Sequence, residues 1–430
     1  MTFGCRLNTY ESEAIKKMST EAGLRNTVII NTCGVTAEAE RQAQQAIRKL
    51  KRERPSLHII ATGCAVQMNP QRYADMPEID RVLGNQEKMQ PSSYTHPQEE
   101  RVVVNDIMAV GETAAHLIQG YDGRVRAFIQ VQNGCDHRCT FCSIPFGRGN
   151  SRSVPVGEIV RQVAQVVENG AREVVLTGVD VTAYGADLPG KPGFGQMIRR
   201  LLALVPQLPR LRLSSLDPAE IDEDLWKLIG NEPRLMPHYH ISAQSGDDLI
   251  LKRMKRRHLR ADIIAFCQKV RERRPDAVFG ADIIAGFPTE SEGMFQNTSA
   301  LIEECGLVYL HVFPYSPRPG TPAARMPQVH GSLIKERARL LRLKGQRVLD
   351  DYLVQQVGTE QEILLEHGNK GRTQFFAPVQ VQGEGDQILS QESPDFIVPG
   401  TLGKARIIDV SRQHLVIHSS SFQPLLGDPS

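Results

Sequence analysis

Three of the eight cysteines stand at a spacing that metal chemistry uses. Cys135, Cys139 and Cys142 form a C-x3-C-x2-C run just after a strand-like stretch, within residues 133–142. Three thiolates so placed can hold three irons of a 4Fe-4S cluster and leave the fourth without a protein ligand, open to a substrate or cofactor. A structural zinc site is the other reading; it needs a closed set of four ligands, which His137 would complete.

Cys5, Cys33 and Cys64 are far apart in sequence but equivalent in expected position. Each follows a strand-like run, at residues 2–4, 27–31 and 58–62. Parallel strands would bring all three to one edge of a sheet, the crevice in which open α/β folds bind ligands. Three thiolates then converge without a short motif, and three inert buried cysteines are the bland alternative. Cys267 and Cys305 sit in helical patterns and read as core residues. Two three-thiolate sets in one chain imply two iron-sulfur clusters, each with an open iron. With no secretory signal in the sequence, ligand or catalytic roles suit these cysteines better than disulfides.

The elements that must position them alternate strand and helix, which makes the fold class α/β. Strand character at 2–4, 27–31, 58–62 and 80–83, with helices at 11–22 and 37–54 between them, describes a doubly wound first domain. Residues 89–116 read as a linker, with a short apolar run at Val102, Val103 and Val104. A second series follows at 127–132, 173–177, 211–214, 238–242, 278–285 and 308–313, with helices such as 156–169 and 261–273. Six such repeats suit a partial barrel whose site lies at the C-terminal ends of its strands. A long basic amphipathic helix is expected at 332–357. Beyond it the period changes to strict alternation at 362–366, 373–381, 402–409 and 414–417, a small all-β barrel.

The chain has 430 residues, enough for two to four domains, and 40% hydrophobic with 23% charged residues is an ordinary globular composition. No apolar run is long enough to cross a bilayer, so no membrane association is expected and a cytoplasmic location is. The net charge of +2 offers no bulk attraction for a polyanion. Basic residues nevertheless concentrate in 251–274 and 334–347, which keeps RNA among the candidate partners. Phe375 and Phe376 lie in an expected strand of the C-terminal barrel. One of two such neighbours faces the core; Phe375, with Arg372, is taken as the RNA-facing one.

The motifs resemble those of the radical SAM methylthiotransferases. The resemblance rests on residues 4–8, Asn31-Thr32-Cys33, Gly63-Cys64, residues 132–135 and residues 283–288, and it covers nearly the whole chain. It implies a methylthiotransferase N-terminal domain with linker (1–118), a radical SAM core built as a partial (β/α)6 barrel (119–345) and a C-terminal RNA-binding TRAM barrel with its connecting helix (346–418). Val35-Thr36, Met254-Lys255-Arg256-Arg257 and residues 311–321 look most like the branch that modifies N6-threonylcarbamoyladenosine beside the tRNA anticodon.

What the resemblance implies is a two-part reaction with S-adenosylmethionine. The cluster on Cys135, Cys139 and Cys142 would generate a deoxyadenosyl radical; that on Cys5, Cys33 and Cys64 would carry the sulfur that, once methylated, enters carbon 2 of the adenine. Gly178 and Asp180 occupy the place of the family's segment near the S-adenosylmethionine amino group, Gly286 that of its adenine-side turn, and Gln244 and Arg256 are further cofactor contacts. The implied partners are tRNA, not DNA, and an electron donor such as flavodoxin or ferredoxin. Alternative substrates are isopentenyladenosine in tRNA or a ribosomal protein aspartate. The alternative outside enzymes is a metal-containing RNA-binding protein.

Overall fold

Apolar residues that alternate along parallel strands bury both faces of the first sheet. The computed structural model describes residues 1–95, 100–111, 125–383 and 397–425. Strands β1 (Thr27–Thr32), β2 (His58–Gly63), β3 (Arg81–Leu83) and β4 (Val102–Val103) are parallel and lie side by side in chain order. The order never reverses, yet helices cover both faces. Helix Arg6–Glu21 packs Leu7, Tyr10, Ala14 and Met18 on the side of Ile60 and Leu83, while helix Ala37–Glu53 packs Ile47 on the side of Ile30, Ile59 and Val82. Two details differ from the sequence reading. The expected strand 2–4 shrinks to one bridge between Thr2 and Asn31, because Cys5 already caps a helix that begins at Arg6. The valine run placed in the linker is instead the edge strand β4, held through its pairing with β3.

The second unit begins with β5 (Arg126–Gln130), followed by a small antiparallel pair, β6 (Gln132–Asn133) and β7 (Arg152–Ser153). Then come β8 (Glu173–Thr177), β9 (Arg210–Leu213), β10 (His238–Gln244), β11 (Val278–Ala285) and β12 (Leu307–Pro314). The sheets β5-β8-β9 and β10-β11-β12 are joined by parallel bridges, Leu211 to Leu235 and Leu216 to Ile241. All six expected barrel strands are therefore present, in an open curved sheet. Val174, Leu176, Leu211, Ile241, Phe279 and Ala281 pack outward in the main core. The pleat turns the alternate residues Glu173, Arg212, His238, His240 and Asp282 into the lumen.

Helix Gly331–Gln355 leads out of the barrel and is anchored by Arg337, whose Nη1 donates to Glu290 Oε2 at 2.9 Å. It feeds a seven-stranded unit: β13 (Glu360–His367), β14 (Lys370–Thr373), β15 (Pro378–Gln382), β16 (Leu402–Arg406), β17 (Asp409–Ser411), β18 (His414–His418) and β19 (Gln423–Pro424). Its core is Ile363, Leu365, Val379, Val381, Leu415 and Ile417. The expected boundary at 118 lies outside the described residues, and the long helix runs through the one at 345. Among the described residues no helix is long and apolar enough to cross a membrane.

This all-β unit sits against the N-terminal ends of the barrel strands. Arg210 donates to Glu362 (2.8 Å), Arg212 to the Gln374 carbonyl (3.2 Å) and Tyr309 to the Phe375 carbonyl (3.1 Å), and Arg126 pairs with Glu366. Glu173, with no exposed surface, accepts from Arg212 at 3.0 Å and from Arg126 at 2.6 Å. Burial alone would raise its pKa; Arg212 and Arg126 outweigh that and hold it well below the usual carboxylate range. Glu173→Gln leaves two guanidinium groups buried without their shared counter-charge. The expected loss is about 3–5 kcal/mol, read from the denaturant midpoint, whereas Glu38→Gln on an exposed helix face should leave the midpoint in place.

Candidate active site

The first three cysteines converge at the C-terminal edge of the N-terminal sheet. Cys5 caps helix Arg6–Glu21, Cys33 follows β1 and Cys64 opens the short helix Cys64–Met68 after β2. Cys33 and Cys64 are buried and Cys5 is exposed. Gly4 must be glycine: its φ is +103°, and a Cβ there would lie 2.6 Å from Cys33 Cβ. Burial first, then the neighbouring Cys64 and Cys5 sulfurs, push the Cys33 thiol up to about 12. Mutual repulsion of this kind is relieved by a multivalent cation that takes the place of the protons, so the set fits an iron-sulfur cluster.

Beneath this set lies a buried ionic group that sequence reasoning missed. Glu11 accepts from Lys88 Nζ at 2.7 Å and from Arg148 Nη1 at 2.8 Å, with all three residues at most 3% exposed. Arg148 also donates to Asn8 Oδ1 (2.6 Å), and Lys88 to Asn31 Oδ1 (3.2 Å). Asn8 Oδ1 lies 3.9 Å from Cys5 Sγ, and Asn85 Nδ2 lies 3.7 Å from Cys64 Sγ. The legible signal was Glu11 itself, a charge on the apolar stripe of positions 7, 10, 14 and 18. Burial raises its pKa, but Arg148 and Lys88 prevail and hold it at about 2.

The second set sits in the loop after β6. Gly134, at φ +71°, lets this loop turn where a Cβ would come within 1.8 Å of the Asn150 carbonyl. Burial, then Asp180 and the neighbouring cysteines, raise Cys135; burial raises Cys142 to about 12. Arg256 Nη1 reaches Cys139 Sγ at 3.5 Å while its Nη2 donates to Asp217 Oδ2 at 2.7 Å. The mixture of repelling thiols and one guanidinium fits an anionic cluster in the same way. His137, the possible fourth zinc ligand, is turned to Asp180 at 2.6 Å and raised to about 10, first by that bond and then by Glu220.

The two sets are neighbours. Ser143, next to Cys142, donates from Oγ to the carbonyl of Gly34, next to Cys33, at 3.1 Å. The short helix Ile144–Arg148 then brings Gly147 against Cys64, where an added Cβ would lie 3.2 Å from Cys64 Cβ.

Of the other expected site residues, Asp180 joins the second set, with Oδ2 3.6 Å from Cys135 Sγ. Gly178 lies against Gln132, whose Oε1 accepts from the amides of Val179 and Asp180. Gln244 ends β10, half-buried, at φ +64°. Gly286 faces Ile334 of the long helix, and its amide donates to Glu290 at 3.0 Å. Phe375 and Arg372 are at the opposite end of the barrel. Arg372 lies over the Phe376 ring at 4.2 Å and donates to the Phe376 carbonyl at 3.0 Å, with its side chain half-buried. Phe376, read as a core residue, fills the barrel floor and stacks on His238 at 5.1 Å.

A model of the radical SAM superfamily matches residues 129–302, and one described as uncharacterized protein family UPF0004 matches residues 1–84. The chain is 59% identical over 381 residues to the threonylcarbamoyladenosine tRNA methylthiotransferase MtaB of Rickettsia prowazekii (strain Madrid E), spanning 89% of this chain and 90% of that one. The protein of the same name from Aquifex aeolicus (strain VF5) is 35% identical over 89% of this chain and 96% of its own. A tRNA-2-methylthio-N(6)-dimethylallyladenosine synthase of Rickettsia conorii (strain ATCC VR-613 / Malish 7) is 30% identical over 93% and 96%. Among solved structures, the radical S-adenosylmethionine methyltransferase TsrM from Kitasatospora setae superposes with a TM-score of 0.51 at 14% identity, covering 74% of this chain and 68% of that one, a likeness of fold alone.

Two measurements check this site. Anaerobic analysis should find roughly eight iron and eight sulfide per chain, and roughly four of each after alanine replaces either Cys5, Cys33 and Cys64 or Cys135, Cys139 and Cys142; zinc without sulfide would favour a binding module. Glu11 supplies the second. With its folded pKa depressed from 4.5 to about 2, its contribution is present above pH 4.5 and is lost as pH falls towards 2. Stability of the metal-free chain should therefore decline through that window, and Glu11→Gln should start lower at neutral pH and decline less.

Proposed function

The chain belongs to the family of threonylcarbamoyladenosine tRNA methylthiotransferases, and from that membership we propose that it inserts a methylthio group at carbon 2 of N6-threonylcarbamoyladenosine in tRNA. The observation that carries the reading is the contact of the two three-cysteine sets across Ser143 and Gly34. A radical source and a sulfur source have to meet over one carbon atom, and this chain builds both thiolate sets side by side.

In this reading Cys135, Cys139 and Cys142 hold one 4Fe-4S cluster and Cys5, Cys33 and Cys64 the other. When bound, these groups and S-adenosylmethionine supply the deoxyadenosyl radical and the methylated sulfur that an aromatic C–H, inert to acid and base at neutral pH, requires. The protein's part is placement and shielding. Arg256, fixed by Asp217 and the Ser242 carbonyl, presents positive charge to Cys139. Asp180, steadied by the side chain of Gln132 through its amide, stands at the rim of the same loop beside Gly178. Gln244, at the end of β10, borders the barrel mouth, and Gly286 stays a backbone contact at the turn after β11. The buried lumen keeps water from the reacting carbon.

The dimethylallyl substrate ranks second, since the relative of that name shares 30% identity against 59% for the threonylcarbamoyl relative. The C-terminal unit acts as a TRAM domain with Phe375 towards RNA, a small carrier such as flavodoxin or ferredoxin delivers the electron, and the enzyme works in the cytoplasm. The test is mass spectrometry of tRNA nucleosides from a strain lacking this protein. Methylthio-threonylcarbamoyladenosine should vanish while its precursor accumulates, and the wild-type gene but not Cys135→Ala should restore it. Loss of the isopentenyl derivative instead would move the chain to the other branch.

A further inference from the structure

Arg6 directly follows Cys5, and its side chain enters the barrel lumen. Its guanidinium carbon is 5.9 Å from the centre of the Phe376 ring, on which Arg126 (5.3 Å) and Arg212 (4.9 Å) also converge. The nearby carboxylates are already committed. Glu173 is shared by Arg212 and Arg126, and Asp282 Oδ1 is shared by His240 Nε2 (2.9 Å) and His311 Nδ1 (3.1 Å). The Arg6 guanidinium makes no hydrogen bond or ion pair with any described residue.

A second group beside the same ring is also unsatisfied. His238, 3% exposed, stacks on Phe376 at 5.1 Å with both ring nitrogens unpartnered. A half-buried cation and a buried imidazole without partners are costly unless a ligand meets them. Together they describe a receptor for an anion that carries further polar atoms.

The threonylcarbamoyl group carries a carboxylate, a hydroxyl and a ureido linkage, whereas a dimethylallyl group carries no charge. Carbons 2 and 6 of adenine flank the same ring nitrogen. A substituent on N6 therefore stays within several ångströms of the carbon to be thiolated, and a residue adjoining Cys5 is placed to hold it. Resting on the substrate reading above, we propose that Arg6 binds the carboxylate of the threonylcarbamoyl group, with His238 bonding the polar part of the same substituent, and that this pair selects the base. An arginine fork matches a carboxylate in charge and shape.

The experiment measures anaerobic binding of the cluster-loaded full chain to anticodon stem-loop RNAs bearing threonylcarbamoyladenosine, adenosine or dimethylallyladenosine at the target position. Wild type should bind the first at least about tenfold more tightly than the second, the scale of a charge-assisted pair. Arg6→Gln should abolish that ratio and leave adenosine RNA binding unchanged, and Arg6→Lys should restore part of it. Because Arg6 adjoins Cys5, iron content is measured on every variant. His238→Phe, which keeps a ring in place, carries the comparison independently with a several-fold smaller ratio expected.

An intact ratio in iron-replete Arg6→Gln and in His238→Phe overturns the proposal. So does equal weakening towards all three RNAs, which marks a general RNA contact, or weaker S-adenosylmethionine binding without RNA, which assigns Arg6 to that cofactor's carboxylate. If the nucleoside assay shows that wild type does not modify threonylcarbamoyladenosine, the substrate reading fails and the inference with it. If modification is confirmed while the ratio survives Arg6→Gln, the inference fails alone.

Discussion

Glu11 between Lys88 and Arg148 is the interaction on which the site's geometry depends. The three groups come from helix Arg6–Glu21, the turn after β3 and the helix that follows the second cysteine loop. A carboxylate with 2% exposure survives as a charge only because both cations reach it directly. The Lys88 bond spans 77 residues within the first unit, and the Arg148 bond, spanning 137, pins that unit to the barrel at the point where the two cysteine sets face each other. Two cations against one anion leave a positive surplus under Cys5, Cys33 and Cys64. That surplus suits a group bound through thiolates, and it comes at no cost of orphaned charge because Asn8 and Asn31 accept the remaining donors.

The barrel floor follows the same rule with the signs arranged differently. Arg126, Arg210 and Arg212 outnumber Glu173 on the barrel's own strands, and the balance arrives from the C-terminal unit as Glu362 and Glu366. That unit is therefore part of the same ionic structure as the barrel floor. Phe376 completes the closure, an apolar plug whose face suits the arginines gathered around it. Its left-handed backbone, φ +73°, turns the ring inward while the adjacent Phe375 stays half-buried at the edge.

Much of the fold was legible because it depends on local pattern. The six barrel strands and the C-terminal alternation need only the period of apolar residues, and the meeting of Cys5, Cys33 and Cys64 needs only that parallel strands end together. What was not legible depends on partners distant in sequence. Arg372 carries no local sign that its guanidinium turns back onto Phe376. The helix at Arg6 was placed five residues late, since its first turn is held by Leu7, Asn8 and Tyr10 packing into surfaces that do not yet exist in the sequence. β4 is two residues long and has no periodicity to detect.

The basic runs show the difference between charge counted and charge available. In the first run, Arg256 is committed to Asp217 and Cys139, Arg260 to Glu304, Arg271 to the Cys305 carbonyl, and Lys269 and Arg273 lie over the Trp226 ring. In the second, Arg337 is buried on Glu290 and Arg342 donates to the Val312 carbonyl. Part of this charge caps strands and helices of the barrel, where guanidinium donors satisfy backbone carbonyls. Lys252 and Lys255 remain exposed, one turn before and directly before Arg256, and flank the backbone that Thr140 of the cysteine loop binds. Two free ammonium groups thus stand near the second cysteine set, although the chain as a whole is nearly neutral.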